Sequence, residues 1–226
     1  MLETLTVGGA RVSWGQAQSF VRTYVTTPEK HWAYPAYDSY PGGGSQQLSE
    51  PDLLAPILLN VRHLSLKTYD ALVAALPRLN ESLDKISSGA SLDMASDDDL
   101  RHVTTLLGHL DDRTLPGVRL TVLSKIVHRK RPGLIPLYDE QIRRCYQVLG
   151  HAPVPSVKGR SWTDFVSAWI PWVQHDLQSQ LAAWEALAQL APGPTITPLR
   201  ALDIVGWRAG HPHLPTITSE SDSMYE

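Results

Sequence analysis

In each long apolar stretch of this 226-residue chain, apolar residues recur every three or four positions, and almost nowhere do they alternate. That periodicity commits the chain to helices. Ser13 is placed to cap a first helix reaching Val25, with Trp14, Ala17, Phe20, Val21 and Tyr24 along one stripe. Further helices are predicted from Glu50 to His63, from Leu66 past Pro77 to Ile86, from Ser96 to Leu110, and from Val118 to Val127. Others follow from Glu140 to Leu149, Trp162 to Leu190 and Leu199 to Trp207. Pro171 should kink or split the long one. Prolines and glycines gather between these stretches and punctuate them. The expectation is an all-α chain: a single compact domain of about eight helices over residues 1–210, with few or no strands. A polar tail, 211–226, completes it.

Several classes fall away on composition. The one cysteine, Cys145, allows no disulfide within the chain and suits a reducing compartment. Met1 to Gly9 lacks the basic and apolar regions of a signal peptide, and no run nears the roughly 20 apolar residues of a membrane span. A cytoplasmic protein with no membrane partner is expected. No metal site is expected either. His211-Pro-His213 is the one tight histidine pair, and no His-Glu-x-x-His spacing occurs. The Gly42-Gly43-Gly44 run is not followed by Lys-Ser/Thr, so it is no P-loop, and no cofactor is implied.

Two stretches carry chemistry. Thr26 to Ser49 has no regular periodicity but holds Trp32, Tyr34, Tyr37 and Tyr40, and is expected to fold onto the helical body. Trp32, Tyr37, Asp38 and Tyr40 read either as a pocket that stacks a ring-shaped ligand or as rings that cover the core. The second stretch is basic. Arg119 to Arg144 has seven basic residues against Asp139 and Glu140, a net of +5 in a chain whose total is −3. Such a patch on an acidic body suits a phosphate-bearing partner or a solvated helix face.

The segment Leu115-Pro-Gly-Val-Arg-Leu-Thr-Val-Leu-Ser-Lys125, continuing through His128-Arg-Lys-Arg-Pro132 to Pro136-Leu-Tyr-Asp139, resembles the core signature of the helix-hairpin-helix DNA glycosylases. The resemblance implies a glycosylase-like helical fold and duplex DNA as partner through residues 119–144. Phosphates would be held by Gly117, Arg119, His128, Arg129, Lys130 and Arg131. It gives Asp139 the role of stabilising positive charge on the sugar of a flipped-out nucleotide, or of helping a nucleophile. The family's second hairpin glycine is Arg119 here and its lyase lysine is Thr121, while Lys125 lies one turn later on the same face. The implied activity is an N-glycosylase without the lyase lysine, with Asp139 and Lys125 as catalytic candidates and Tyr138 and Trp207 added to the pocket. Ser124-Lys125, His128 to Pro132 and Pro198 to Asp203 also resemble an uncharacterised bacterial family with no assigned activity.

Two other functions stay open: a non-catalytic helical interaction protein, and a small-molecule enzyme with an aromatic pocket. Asp139 itself has two readings, as an N-cap for the helix after Pro136 or as a catalytic carboxylate. Arg200, Asp203, Trp207 and Arg208 share one face of the last helix, where Arg200 and Asp203 should pair. That face either lines the cleft of Asp139 or is a local ion-pair surface.

Overall fold

Two helices with almost no wet face organise the chain. The computed structural model describes residues 3–27, 32–44, 46–61 and 65–211. In it α4, Leu120–His128, buries every residue but Thr121, and α8, Pro198–Gly210, buries ten of its thirteen. A helix buried all round needs neighbours all round. The others supply them: α1 (Trp14–Thr26), α2 (Leu66–Leu83), α3 (Asp97–Gly108), α5 (Glu140–Gln147), α6 (Trp162–Ser179) and α7 (Leu181–Ala188). Helices α1, α5 and α7 pack on α8, α3 packs on α6, and α4 lies against a 3-10 segment, Glu50–Leu59. The described residues are mainly helical.

Side chains at the helix starts cap them, Ser13 as the sequence suggests. Ser13, Ser96, Ser161 and Thr197 each accept a hydrogen bond from a backbone amide of the first turn of α1, α3, α6 and α8. Other expectations need correction. Glu50–Leu59 winds as 3-10 and not α, with Pro51 and Pro56 each lacking an amide donor. Pro171 does not split α6, which continues to Ser179. The break comes at Gln180, whose side-chain amide is drawn to a strand: its Oε1 accepts from the Thr6 amide at 2.7 Å and its Nε2 donates to the Thr6 carbonyl at 3.0 Å.

That strand belongs to a hairpin the helical periodicity hides. β1, Thr4–Val7, pairs antiparallel with β2, Ala10–Ser13, across a Gly8-Gly9 turn. Leu5, Val7, Ala10 and Val12 face the core, an alternation only four residues long on each side. The Gly9 amide donates to the Cys145 carbonyl at 2.7 Å, and Asp176 Oδ2 accepts from Gly8 at 2.6 Å. The end of the helix expected from Glu50 to His63, His213 and the tail from 212 lie outside the described residues. Among the described residues no helix is long and apolar enough to cross a membrane.

Helices α5 and α8 meet almost backbone to backbone. The Cys145 thiol donates to the Gly206 carbonyl, and Arg144 Nε donates to the Gly210 carbonyl at 2.8 Å. A Cβ on Gly210 would stand 2.2 Å from the Gln141 carbonyl oxygen, whereas one on Gly15, in α1, would meet open space. Gly210→Ala should therefore destabilise the fold by about 1–3 kcal/mol as α5 and α8 are forced apart. Gly15→Ala should leave stability unchanged or raise it by up to about 1 kcal/mol. Urea denaturation midpoints compare the two.

Candidate functional site

The site starts from the cap of α5. Asp139 is extended, and its Oδ1 accepts from the amides of Gln141 at 2.9 Å and Ile142 at 3.0 Å. One carboxylate oxygen therefore satisfies orphan donors of the helix. The other, Oδ2, stands 3.9 Å from Lys125 Nζ, and the side chain is 24% exposed. The exposure opens onto a cavity of about 380 Å³ that Asp139 and Lys125 both line.

Helix α8 forms the facing wall. Arg200, Asp203 and Trp207 line the same cavity, at the three- to four-residue spacing that puts them on one helix face. Tyr24 and Trp32 complete the aromatic side. The three rings pack edge to face, with centroids 5.2 Å apart for Tyr24–Trp32 and 5.6 Å for Trp32–Trp207. Arg200 is the anchor. Its Nε donates to Asp38 Oδ1 at 2.9 Å, one terminal nitrogen binds Asp203 Oδ2, and the other donates to the Tyr24 hydroxyl at 3.0 Å. Burial pulls the Lys125 ammonium below its ordinary value, with Asp139 opposing the shift.

Of the residues the sequence proposes for a pocket, Trp32 and Trp207 reach the cavity. Tyr37 and Asp38 lie one layer behind it. Tyr37 is fully buried, its hydroxyl donates to the Lys125 carbonyl at 2.8 Å, and Asp38 braces Arg200. Tyr138 packs edge-on against Phe165 and Trp169 of α6, away from the cavity. Tyr40 donates to the Pro51 carbonyl and borders a separate, smaller recess with Arg129 and Lys130. Arg208 leaves the α8 group and lies over the Phe20 ring, 4.8 Å from its centroid. The sequence reading misses Tyr24 as a site residue, because its place on the apolar stripe of α1 gives it the signature of a core position.

The basic run turns inward. Lys130 forms a 2.8 Å ion pair with buried Asp52. Arg129 donates to the carbonyls of Asp38 and Tyr40, and Arg131 to those of Ile86 and Leu83. His128 is buried, stacked on Tyr37, with Nδ1 2.7 Å from the Ile135 carbonyl. Gly117 and Arg119 are separate from these. They sit in an exposed turn before α4, where Gly117 takes φ +78°. Among the described residues no three histidine, cysteine, aspartate or glutamate side chains gather as a metal ion would require.

Burial pushes the His128 imidazole down to about 4 from an ordinary 6.5. A folded-state value below the unfolded one means stability that is complete above 6.5 and is lost as pH falls toward 4. Asp203 has the opposite sign. Burial raises its carboxyl to about 6, so its contribution is complete below its ordinary 3.8 and is lost as pH rises toward 6. Replacing His128 with Gln keeps a donor for the Ile135 carbonyl and removes the titration. Urea midpoints of His128→Gln, followed from about pH 7 down to about pH 4.5, should fall less steeply than those of the wild type.

The model of a family described as a family of unknown function, DUF6308, matches residues 17–210, well over half of the chain. No curated protein and no solved structure matches it.

Proposed function

The chain therefore belongs to DUF6308, and we propose that its cavity is the active site of an N-glycosidase, a hydrolase that separates a flat nitrogenous base from a sugar. The supporting observation is the divided carboxylate of Asp139: one oxygen is fixed as the α5 cap and the side chain lines an aromatic-walled cavity. A volume of about 380 Å³ suits a nucleoside-sized ligand. The base would lie against Tyr24, Trp32 and Trp207, and base stacking contributes about 1–3 kcal/mol. As the carbon–nitrogen bond breaks, its electron pair leaves with the base and positive charge develops on the sugar. Asp139, held rigidly by two amides, stabilises that charge. Water then adds hydroxide to the sugar carbon, and its proton ends on the base. Lys125, which donates to the Tyr138 carbonyl at 3.3 Å, keeps Asp139 in place through their ion pair.

We also propose that the fold is helix-hairpin-helix glycosylase-like. The Leu115–Arg119 turn, then α4, then an aspartate at the head of α5 follow the order of the helix-hairpin-helix glycosylases. The buried single cysteine also agrees with a reducing, cytoplasmic setting. The internal contacts of Arg129, Lys130 and Arg131 favour a nucleoside-scale substrate over a duplex gripped by that run. One observation supports a second reading, with a DNA nucleotide as substrate. The Pro116–Arg119 turn is exposed at the N-terminus of α4, where backbone amides can meet phosphate.

Release of free base from nucleosides and from duplexes carrying modified bases, measured by chromatography, separates these substrates. In either case Asp139→Asn should lower the rate by about 100-fold or more. Its melting temperature should fall only modestly, because asparagine caps a helix about as well as aspartate and buried Lys125, though it loses its counter-ion, keeps the Tyr138 carbonyl as acceptor. An Asp139→Asn protein of wild-type activity would overturn the N-glycosidase mechanism.

A further inference from the structure

We propose that Asp203 is the proton donor of this cavity, and that the ligand it selects presents an acceptor ring nitrogen, as a purine does. The inference rests on the ligand-binding part of the reading above and adds a residue and a substrate feature to it. The charges around Arg200 do not balance if Asp203 is ionised. Its guanidinium already has Asp38 as counter-ion, at 2.9 Å and 3.4 Å through two nitrogens. Lys125 has Asp139. Asp203 is a second carboxylate on an arginine that is already neutralised. Ionised, it would leave a buried excess of negative charge, which is expensive in a low-dielectric site.

The geometry leaves one oxygen of this group open toward the cavity. Asp203 Oδ2 accepts from Arg200, while Oδ1 has no hydrogen-bond partner among the described residues. The side chain is 10% exposed and lines the cavity. A protonated Oδ1 is a donor in need of an acceptor, against an aromatic wall suited to a flat ring. The surroundings agree on the direction. Burial pushes the carboxyl up to about 6 while Arg200, from the same helix, opposes it; Asp139 at the head of α5 pushes it further up, and Lys125 of α4 holds it down. Tyr24 of α1, Tyr37 and Asp38 of the loop, and Cys145 of α5 are the other titratable groups about it. Two carboxyl groups set in unlike environments divide into an acid and an anion. In the reaction, Asp203 passes its proton to the ring nitrogen as the carbon–nitrogen bond breaks. The carboxylate then recovers a proton from the water that adds to the sugar, so the cycle closes without another reactant.

The test uses the full chain and free adenine, followed by isothermal titration calorimetry at about pH 5 and about pH 8. Wild-type affinity should fall on the order of 100-fold between them, as the protonated population is lost. Asp203→Asn keeps an oxygen for Arg200 and presents a permanent N–H donor. It should bind adenine at both pH values with less than about 3-fold difference. A flat wild-type profile, an Asp203→Asn protein with the wild-type pH dependence, or no adenine binding at either pH would each overturn the proposal. If Asp203→Asn does not fold, the carboxyl carbon of Asp203 in the wild type decides by NMR. Titration near 6 supports the proposal and titration below about 4.5 overturns it. The outcome is separable from that for Asp139. Whether Asp139→Asn abolishes hydrolysis or leaves it intact, the adenine profile reports on Asp203.

Discussion

The buried guanidinium of Arg200 is the interaction on which the site depends. It sits among Asp38, Asp203 and Tyr24, with its charge 5.5 Å from the ring centroids of both Tyr24 and Tyr37. Taking an arginine out of water costs several kcal/mol, and only planar, multidentate partners return it. Those partners come from three places in the chain: α1, the aromatic loop and α8 itself. One side chain thus ties α1, the loop and α8 together beside the cavity. Removing Arg200 would leave Asp38 as an uncompensated buried carboxylate and Asp203 without its hydrogen-bond donor, a worse state than an absent contact.

The basic run extends the same logic to the rest of the loop. An irregular segment has no ladder of its own for its carbonyls, and buried carbonyls need donors. Arg129 supplies Asp38 and Tyr40, and Tyr37 closes the link by donating to Lys125. Arg131 supplies the end of α2 and the carbonyl of Ile86, so it ties that corner to the same hub. Clustered cations in a sequence suggest a polyanion outside the protein. Here four neighbouring residues, His128 to Arg131, face carbonyls and Asp52 inside it.

This difference shows what the sequence makes legible. Local rules act within a few residues, so Ser13, Ser96, Asp139, Ser161 and Thr197 can be read as caps, and Arg200, Asp203 and Trp207 as one helix face. The direction of a long flexible cation is set by acceptors 85 to 91 positions away, as for Arg131 with Gln46 and Arg129 with Asp38. No periodicity records that. Tyr24 is hidden for a related reason: a residue on an apolar stripe can line a cavity where its neighbours fill a core. The hairpin is hidden by size, since two four-residue strands give alternation too little length to stand out from helical spacing. Its strongest sign is the Gly8-Gly9 pair. Gln180 ends α6 for a reason located 174 positions away, at Thr6.

Asp139 shows why the two readings of a capping aspartate need not compete. A cap fixes the carboxylate in place at no entropic cost to any later event, because two amides already hold Oδ1. The N-terminus of α5 also contributes partial positive charge, which favours a negative group there. A carboxylate so placed is preorganised, and preorganisation is what electrostatic stabilisation of a developing cation requires. Capping would waste that property only if the second oxygen were buried against protein. It is instead beside a cavity, 3.9 Å from a buried lysine and across from a helix whose own carboxyl is pushed up to about 6. The helix start, the lysine and the facing aspartate therefore form one electrostatic unit, in which the same contacts that cap a helix orient the carboxylate that lines the cavity.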